Sequence, residues 1–301
     1  MDHLLDIETI PLERIDAILD KARDIKSEMA KGRYSKKPLE GRIIFSMFLE
    51  NSTRTRTSFD MAVHRLGGAI IHWDNNANSL KKGETLTDTI RCVSSYKPDG
   101  LIVRSSEFKA PYTFKALMDC PIINAGDSYR AHPSQALLDT FTIEEQKARI
   151  DGLTIAICGD IAHSRVAACN IQLLHKKGAK LRLISPPALT MNRLPFEDIE
   201  TFTDMNEGIK DCDVIMMLRN QKERMEASAI PDDDWYFRNY GLTQDRLAFA
   251  KDDVMVMHPA PMNRGVEIAD DVADDPRKSF IFKQMENGLP VRMAILETLV
   301  S

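Results

Sequence analysis

Closely spaced glycines are missing from this chain. Of its 14 glycines only Gly67 and Gly68 are adjacent, and no other two stand closer than seven positions. A dinucleotide-binding G-x-G-x-x-G, a Walker G-x-x-x-x-G-K and a hydrolase G-x-S-x-G all need closer glycines, so those three chemistries are excluded. H-E-x-x-H is absent too, which removes a zincin. The five cysteines (Cys92, Cys120, Cys158, Cys169 and Cys212) are odd in number, scattered and never paired as Cys-x-x-Cys. Neither a zinc knuckle nor a disulfide framework is indicated, and reduced, mostly buried thiols are expected. The longest apolar run covers only residues 214–218, far short of the roughly 20 residues that cross a bilayer, so no membrane span is expected. The opening Met1-Asp2-His3-Leu4-Leu5-Asp6 has no basic segment and no long apolar one, so the chain reads as cytoplasmic with no secretory signal. Surplus positive charge is lacking as well: 40 basic against 45 acidic residues leave a net −5. That argues against a whole-surface nucleic-acid or anionic-membrane binder, and any anion site must be local.

What is present is an alternation of strand-like and helical segments. At about 150 residues per domain, 301 residues suggest two domains, and 43% hydrophobic content can give each a core. Strand patterns cover residues 43–49, 69–73, 101–103 and 121–124, with helical patterns at 57–66, 85–96 and around 112–118. A long helical segment, 134–149, bridges into a second half that restarts the rhythm. There, strands at 153–158, 181–184, 214–217 and 254–257 surround helices at 166–177 and near 205–211, and a last helical pattern covers 289–300. The expected fold is α/β, with two doubly wound parallel-sheet domains, helices on both faces and a site in the cleft between them. The acidic clusters Asp232-Asp233-Asp234 and Asp270-Asp271 through Asp274-Asp275 are expected as solvated surface rather than a metal site.

The densest chemical signal is Glu50-Asn51-Ser52-Thr53-Arg54-Thr55-Arg56, at a strand-to-helix junction. Free N–H groups and the positive end of the dipole attract anions there, whereas arginines in a first turn are unfavourable unless something negative compensates. The hydroxyls of Ser52, Thr53 and Thr55 and the fork of Arg54 form a donor set that suits a phosphate; Arg56 can serve a structural ion pair. Further polar groups follow strand ends: Arg104 after 101–103, His132 after 121–124, Arg165 after Cys158, Arg219 and Gln221 after Leu218, and His258-Pro259-Ala260-Pro261 after Met257. Ligands of open α/β sheets bind beyond the carboxyl ends of strands, so these groups can line one cleft, rich in arginine and poor in acid. His132 precedes Pro133 at a helix start, where a neutral ring can donate to a carbonyl, though a capping role weighs equally. His258 is expected to shape its loop. His3, His64, His72, His163 and His175 are expected to be structural or at the surface. Two lysines in Ser79-Leu80-Lys81-Lys82-Gly83-Glu84 form a weak phosphate signal.

Together, Ser-Thr-Arg-Thr-Arg at 52–56, Lys-Gly-Glu at 82–84, His-Pro-Ser-Gln at 132–135 and Arg-Asn-Gln-Lys-Glu-Arg at 219–224 resemble the catalytic chains of the aspartate carbamoyltransferase family. The likeness runs nearly end to end. It implies a carbamoyl-phosphate-binding domain, residues 1–133 with 287–301, and an aspartate-binding domain, residues 134–286. By this likeness Ser52, Thr53, Arg54, Thr55 and Arg104 hold the phosphate, while Ser79 and Lys82 reach in from a neighbouring subunit of a homotrimer. Thr55, Arg104 and His132 polarise the carbamoyl oxygen; Gln135 and the carbonyls of Ala260 and Pro261 receive the carbamoyl NH2. Arg165 takes the α-carboxylate of aspartate and Arg219, positioned with Gln221, its β-carboxylate, with Lys82 also at this substrate. Glu50 bridges to Arg165 and Arg224 when the domains close. Ala260 stands where relatives often carry Gly or Leu.

The reaction so implied is attack of the aspartate α-amine on the carbamoyl carbon with loss of phosphate, in pyrimidine synthesis, with no metal or other cofactor. The catalytic groups would be Arg54, Thr55, Lys82, Arg104, His132 and Gln135. A regulatory chain or a dihydroorotase-like partner is compatible with the resemblance. Two alternatives stay open: a carbamoyltransferase for another amine such as ornithine, and a non-catalytic anion-binding assembly subunit.

Overall fold

Segments that are apolar without alternation become interior strands of parallel sheets, because both faces of such a strand are covered. The computed structural model describes residues 2–32, 34–74, 83–221 and 230–301. The chain divides into one unit of Met1–Leu137 with Gly288–Ser301 and another of Leu138–Asn287.

The first unit opens with helix α1 (Leu12–Ala30). Its strands β1 (Ile43–Phe48), β2 (Ala69–His72), β3 (Gly100–Ser105) and β4 (Ile122–Asp127) pair in parallel in the order β2-β1-β3-β4. Helices α2 (Thr53–Arg65), α3 (Leu86–Ser95) and α4 (Ala110–Leu117) connect them. The two-residue period sorts the side chains. Phe45, Met47, Leu101, Val103 and Ile122 pack with Ile90, Val93 and Phe114 of the helices, while Ile44, Ile102 and Ile123 are buried at the alternate positions.

Helix α5 (Pro133–Lys147) leads into the second unit, where β5 (Thr154–Cys158), β6 (Lys180–Ile184), β7 (Glu200–Phe202), β8 (Val214–Met217) and β9 (Met255–Met257) pair in parallel as β7-β6-β5-β8-β9. Helices α6 (Arg165–Lys176), α7 (Met205–Ile209), α8 (Asp233–Tyr240), α9 (Gln244–Leu247) and α10 (Asp270–Ala273) surround this sheet. Ile155, Ile157, Leu181, Val214 and Met216 pack with Ile171 and Leu174 of α6, while Ala156, Cys158, Ile215 and Met217 pack with Met205, Ile209 and Leu247. Both sheets are therefore the expected α/β, doubly wound parallel type.

Helix α11 (Ile281–Val300) begins eight residues before the expected 289, and Pro290 lies inside it. A proline there removes one ladder hydrogen bond, so side-chain contacts must help to hold the first turns. Gln284 donates to Asp139 of α5 at 2.5 Å, and Asn287 donates to Thr142 and Glu145, each at 3.1 Å. Helix α2 begins at Thr53 rather than residue 57, which brings Arg54 and Thr55 into its first turn. The acidic clusters are not simply solvated surface. Asp232 caps α8 by accepting the Trp235 N–H at 2.7 Å, and buried Asp275 accepts the N–H of Arg277 at 2.8 Å. Four cysteines are buried and Cys92 is exposed. Among the described residues no helix is long and apolar enough to cross a membrane.

Candidate active site

In the first sheet the chain leaves β1 toward β2 on one side and then takes up β3 and β4 on the other, so the winding reverses between β1 and β3. In the second it runs β5, β6, β7 one way and then places β8 and β9 on the opposite side of β5, reversing between β5 and β8. Carboxyl ends at such a reversal splay into a crevice, the usual ligand site of an open α/β sheet. The cation- and hydroxyl-rich segments stand at both reversals.

At the first reversal, β1 runs out into Glu50 and Ser52, and β3 ends beside it, with Phe48 paired to Arg104. Ser52 is the N-cap of α2, yet its hydroxyl makes no capping bond, and the first turn holds no acid. A helix start with neither a capping bond nor an acid suits an outside anion. Thr55 is buried, whereas Thr53 and Arg54 are exposed. Arg104 is held by its own unit: one amino group meets a Glu50 carboxylate oxygen at 2.7 Å and the other donates to the Ala125 carbonyl at 3.2 Å. His132 is buried and its carbonyl accepts the N–H of Gln135 (3.0 Å) and of Ala136 (3.2 Å), so it starts α5 with Pro133 following. Its Nδ1 lies 3.4 Å from the Ser134 hydroxyl, and Gln135 is buried beside it.

The loop that presents His132 is pinned from behind. Asp127 accepts Arg130 Nε at 2.6 Å and the Lys109 N–H at 2.8 Å, and Arg130 also reaches Asp6 at 3.1 Å. Burial acts to raise the Asp6 carboxyl, but hydrogen bonds from Tyr112, Thr9 and Arg130 outweigh it and hold the group below its ordinary value. The same contact, after burial, pushes the Tyr112 phenol up to about 12.

At the second reversal, Gly159 follows β5 with φ +127°. A Cβ here would meet the Leu218 carbonyl oxygen at 3.0 Å and the Tyr236 hydroxyl at 3.1 Å, so the close approach of the segments after β5 and β8 requires glycine. Asp160, fully buried, joins those segments. It accepts the His163 ring Nδ1 at 2.8 Å and the His163 N–H at 3.2 Å, and also the backbone N–H of Gln221. Burial pushes this carboxyl above its ordinary value against those hydrogen bonds. Gln221 returns the contact, its Nε2 donating to the His163 carbonyl at 3.1 Å. Ser164 caps α6 through the Ala167 N–H at 3.1 Å, which leaves Arg165, buried, as the first residue of that helix. Arg219 follows β8 and is partly exposed. Ala260 and Pro261 come after β9, with Ala260 in the left-handed region at φ +54°.

Within the first unit the structure gathers Ser52, Thr53, Arg54, Thr55, Arg104, His132 and Gln135 at one sheet edge, and within the second it gathers Arg165, Arg219 and Gln221. Ser79, Lys82 and Arg224 lie outside the described residues. Glu50 meets Arg104 here, a contact the sequence did not suggest. Asp160 was overlooked, and His163 takes the structural one of the two roles expected for it, since it binds both Asp160 and Gln221. A Gly-Asp pair directly after an apolar strand was the available signal.

The comparisons with known proteins agree with this architecture. A family model described as the carbamoyl-P binding domain of aspartate/ornithine carbamoyltransferase matches residues 2–145, and one described as its Asp/Orn binding domain matches residues 151–299. The chain is 47% identical over 297 residues to the aspartate carbamoyltransferase catalytic subunit of Granulibacter bethesdensis, covering 99% of this chain and 94% of that one. It is 45% identical to that of Rhodospirillum rubrum, covering 99% and 93%. Aspartate transcarbamoylase from Trypanosoma cruzi in complex with carbamoyl aspartate and phosphate superposes with a TM-score of 0.90 at 32% identity, covering 100% of this chain and 96% of that one. The same enzyme in complex with N-(phosphonacetyl)-L-aspartic acid gives 0.87 at 31% identity, covering 100% and 96%. With both of its units matched and relatives alike along nearly their whole length, this chain belongs to the aspartate/ornithine carbamoyltransferase family.

Proposed function

We propose that this chain is an enzyme that transfers the carbamoyl group of carbamoyl phosphate to the α-amine of L-aspartate, giving N-carbamoyl-L-aspartate and phosphate. Ser52, Thr53, Arg54, Thr55 and Arg104 would bind the phosphate, and Thr55, Arg104 and His132 the carbamoyl oxygen. Gln135 and the carbonyls of Ala260 and Pro261 would take the NH2. Arg165 would hold the α-carboxylate and Arg219, with Gln221, the β-carboxylate. The neutral amine attacks the carbamoyl carbon, charge grows on its oxygen, and the C–O bond to phosphate breaks as the amine loses a proton. Donors already aimed at that oxygen stabilise the transition state, and one such donor is worth about 10²–10³ in rate. Holding both substrates in line contributes further through orientation.

The observation that supports aspartate over ornithine is the arginine set at the second reversal. A guanidinium fork matches a carboxylate and repels the side-chain ammonium of ornithine. The test is phosphate release by the purified chain with carbamoyl phosphate and L-aspartate, L-ornithine or no amine. Aspartate-dependent release supports the reading; release with ornithine alone, or none above the amine-free rate, overturns it.

The active form in this reading is a cytoplasmic homotrimer that supplies pyrimidine synthesis, with Ser79 and Lys82 serving a neighbour's site and Glu50 bridging to Arg165 and Arg224 on closure. A regulatory chain or a dihydroorotase-like partner fits the same reading. Mixing Arg54→Ala chains with Lys82→Ala chains should regenerate intact sites; no recovery despite chain exchange would refute the sharing.

A further inference from the structure

His258 and Glu267 belong to no substrate contact assigned above, yet both side chains are 0% exposed. The His258 ring is engaged at both nitrogens. Nδ1 accepts the backbone N–H of Ala260 at 2.9 Å, and Nε2 lies 3.2 Å from a Glu267 carboxylate oxygen. An N–H aimed at Nδ1 leaves no room for a hydrogen there, so the ring hydrogen sits on Nε2 and is donated to Glu267. Glu267 also accepts the backbone N–H of Asn263, and the His258 N–H is anchored on Gln284 at 3.0 Å. The segment from 258 to 267 is thereby tied across its own base.

Ala260 needs such a tie. At φ +54° it carries a side chain in the region that suits glycine, and a residue stays there only when its surroundings hold it. The bond from its N–H to His258 spans two residues, as in an Asx turn, with an imidazole in place of the amide. Burial keeps water from competing for either partner.

We propose that His258 and Glu267 are a positioning pair: they lock Ala260 in its left-handed conformation and so aim its carbonyl at the NH2 of carbamoyl phosphate, making the site prefer a carbamoyl to an acyl phosphate. The inference rests on the function proposed above, in which that carbonyl receives the NH2. In this reading the pair acts through Ala260 and not through a contact of its own with substrate. Acetyl phosphate is the matching probe, since it differs from carbamoyl phosphate by a methyl in place of the NH2 and cannot donate to the carbonyl.

Binding of both ligands is measured by calorimetry in the cold on the intact wild-type protein and on His258→Leu, Glu267→Leu and His258→Asn. The leucine variants should lose about three- to tenfold in carbamoyl phosphate affinity, the worth of one hydrogen bond, with acetyl phosphate bound as before. His258→Asn offers a side-chain oxygen to the Ala260 N–H and should recover most of the lost preference, which a merely structural role would not. Two results would overturn the inference: an unchanged preference in both leucine variants, or equal weakening of both ligands without recovery in His258→Asn. A wild-type protein that does not prefer carbamoyl to acetyl phosphate would instead bring down the reading of the Ala260 carbonyl, and the pair's role with it.

Discussion

Replacing Glu50 by Gln should tighten carbamoyl phosphate binding while slowing turnover. Glu50 lies 2.7 Å from Arg104, and their side chains are only 17% and 12% exposed. Two unit charges whose centres are about 4 Å apart attract by about 4 kcal/mol at an effective dielectric constant near 20. A phosphoryl group that takes Arg104 must share it with this carboxylate, at about 6 Å, where each like-charge pair costs about 3 kcal/mol at the same dielectric constant. Discounted for partial exposure, removing the Glu50 charge should relieve about 1.4–2.8 kcal/mol, or about 10- to 100-fold in affinity. The Ala125 carbonyl still accepts from Arg104 at 3.2 Å, so the guanidinium keeps its place. Calorimetric titration of wild type and Glu50→Gln with carbamoyl phosphate measures the change, and added salt should shrink it. Turnover should move the opposite way if Glu50 also bridges to Arg165 and Arg224. Equal or weaker affinity in Glu50→Gln, with the fold intact, would refute the reasoning.

Asp160→Asn separates stability from function: the buried carboxyl is disfavoured as a charge, so at pH 7 the amide should leave the melting temperature unchanged or higher. Asp160→Leu, by contrast, removes the acceptor of the His163 ring and N–H and of the Gln221 N–H, and the KM for aspartate should rise about tenfold or more; an unchanged KM speaks against the clamp. Gly159→Ala forces a Cβ to 3.0 Å from the Leu218 oxygen at φ +127°, and should cost about 2 kcal/mol or more by denaturant unfolding, with poorer aspartate saturation. Asp6 has a folded-state value below its unfolded one, so its carboxylate adds stability above the unfolded value, and that stability is lost as pH falls through the folded one. Asp6→Asn should therefore flatten the acid limb of a stability-against-pH curve, and an acid limb as steep as that of wild type would count against the pinned loop.

Cations at strand ends were legible in the sequence because a strand has a length and a direction: once 101–103 and 214–217 read as strands, Arg104 and Arg219 had to fall at or just past carboxyl ends. The donor set at Ser52 to Thr55 was legible because arginines in a first helical turn conflict with local electrostatics. Asp160 and Glu267 were not, since a buried carboxylate takes its role from its neighbours: Gln221 lies far along the chain from Asp160, and Glu267 meets His258 only because the loop between them folds back. The partner of Glu50 was hidden for the same reason, because it depends on β1 and β3 lying side by side. Helix α1 went unread although Ile15, Ile18, Leu19, Ala22 and Ile25 follow helical spacing. The early start of α11 was masked by Gly288 and Pro290, which suggest a boundary until the Gln284 and Asn287 contacts are known.

The reversal of winding in each sheet has a consequence for how acceptor preference can change. The side chains proposed to grip the acceptor's two carboxylates hang on the turns after β5 and β8, outside the apolar layers that set the strand register. Those turns can be exchanged for others fitted to a different amine while the strands beneath keep their contacts with one another and with the helices, provided that Ile161 and Leu218 stay in the core. Donor chemistry, carried on the separate edge of β1 and β3, need not be rebuilt. A family that keeps one activated donor and diversifies its acceptors can do so by editing two short connections.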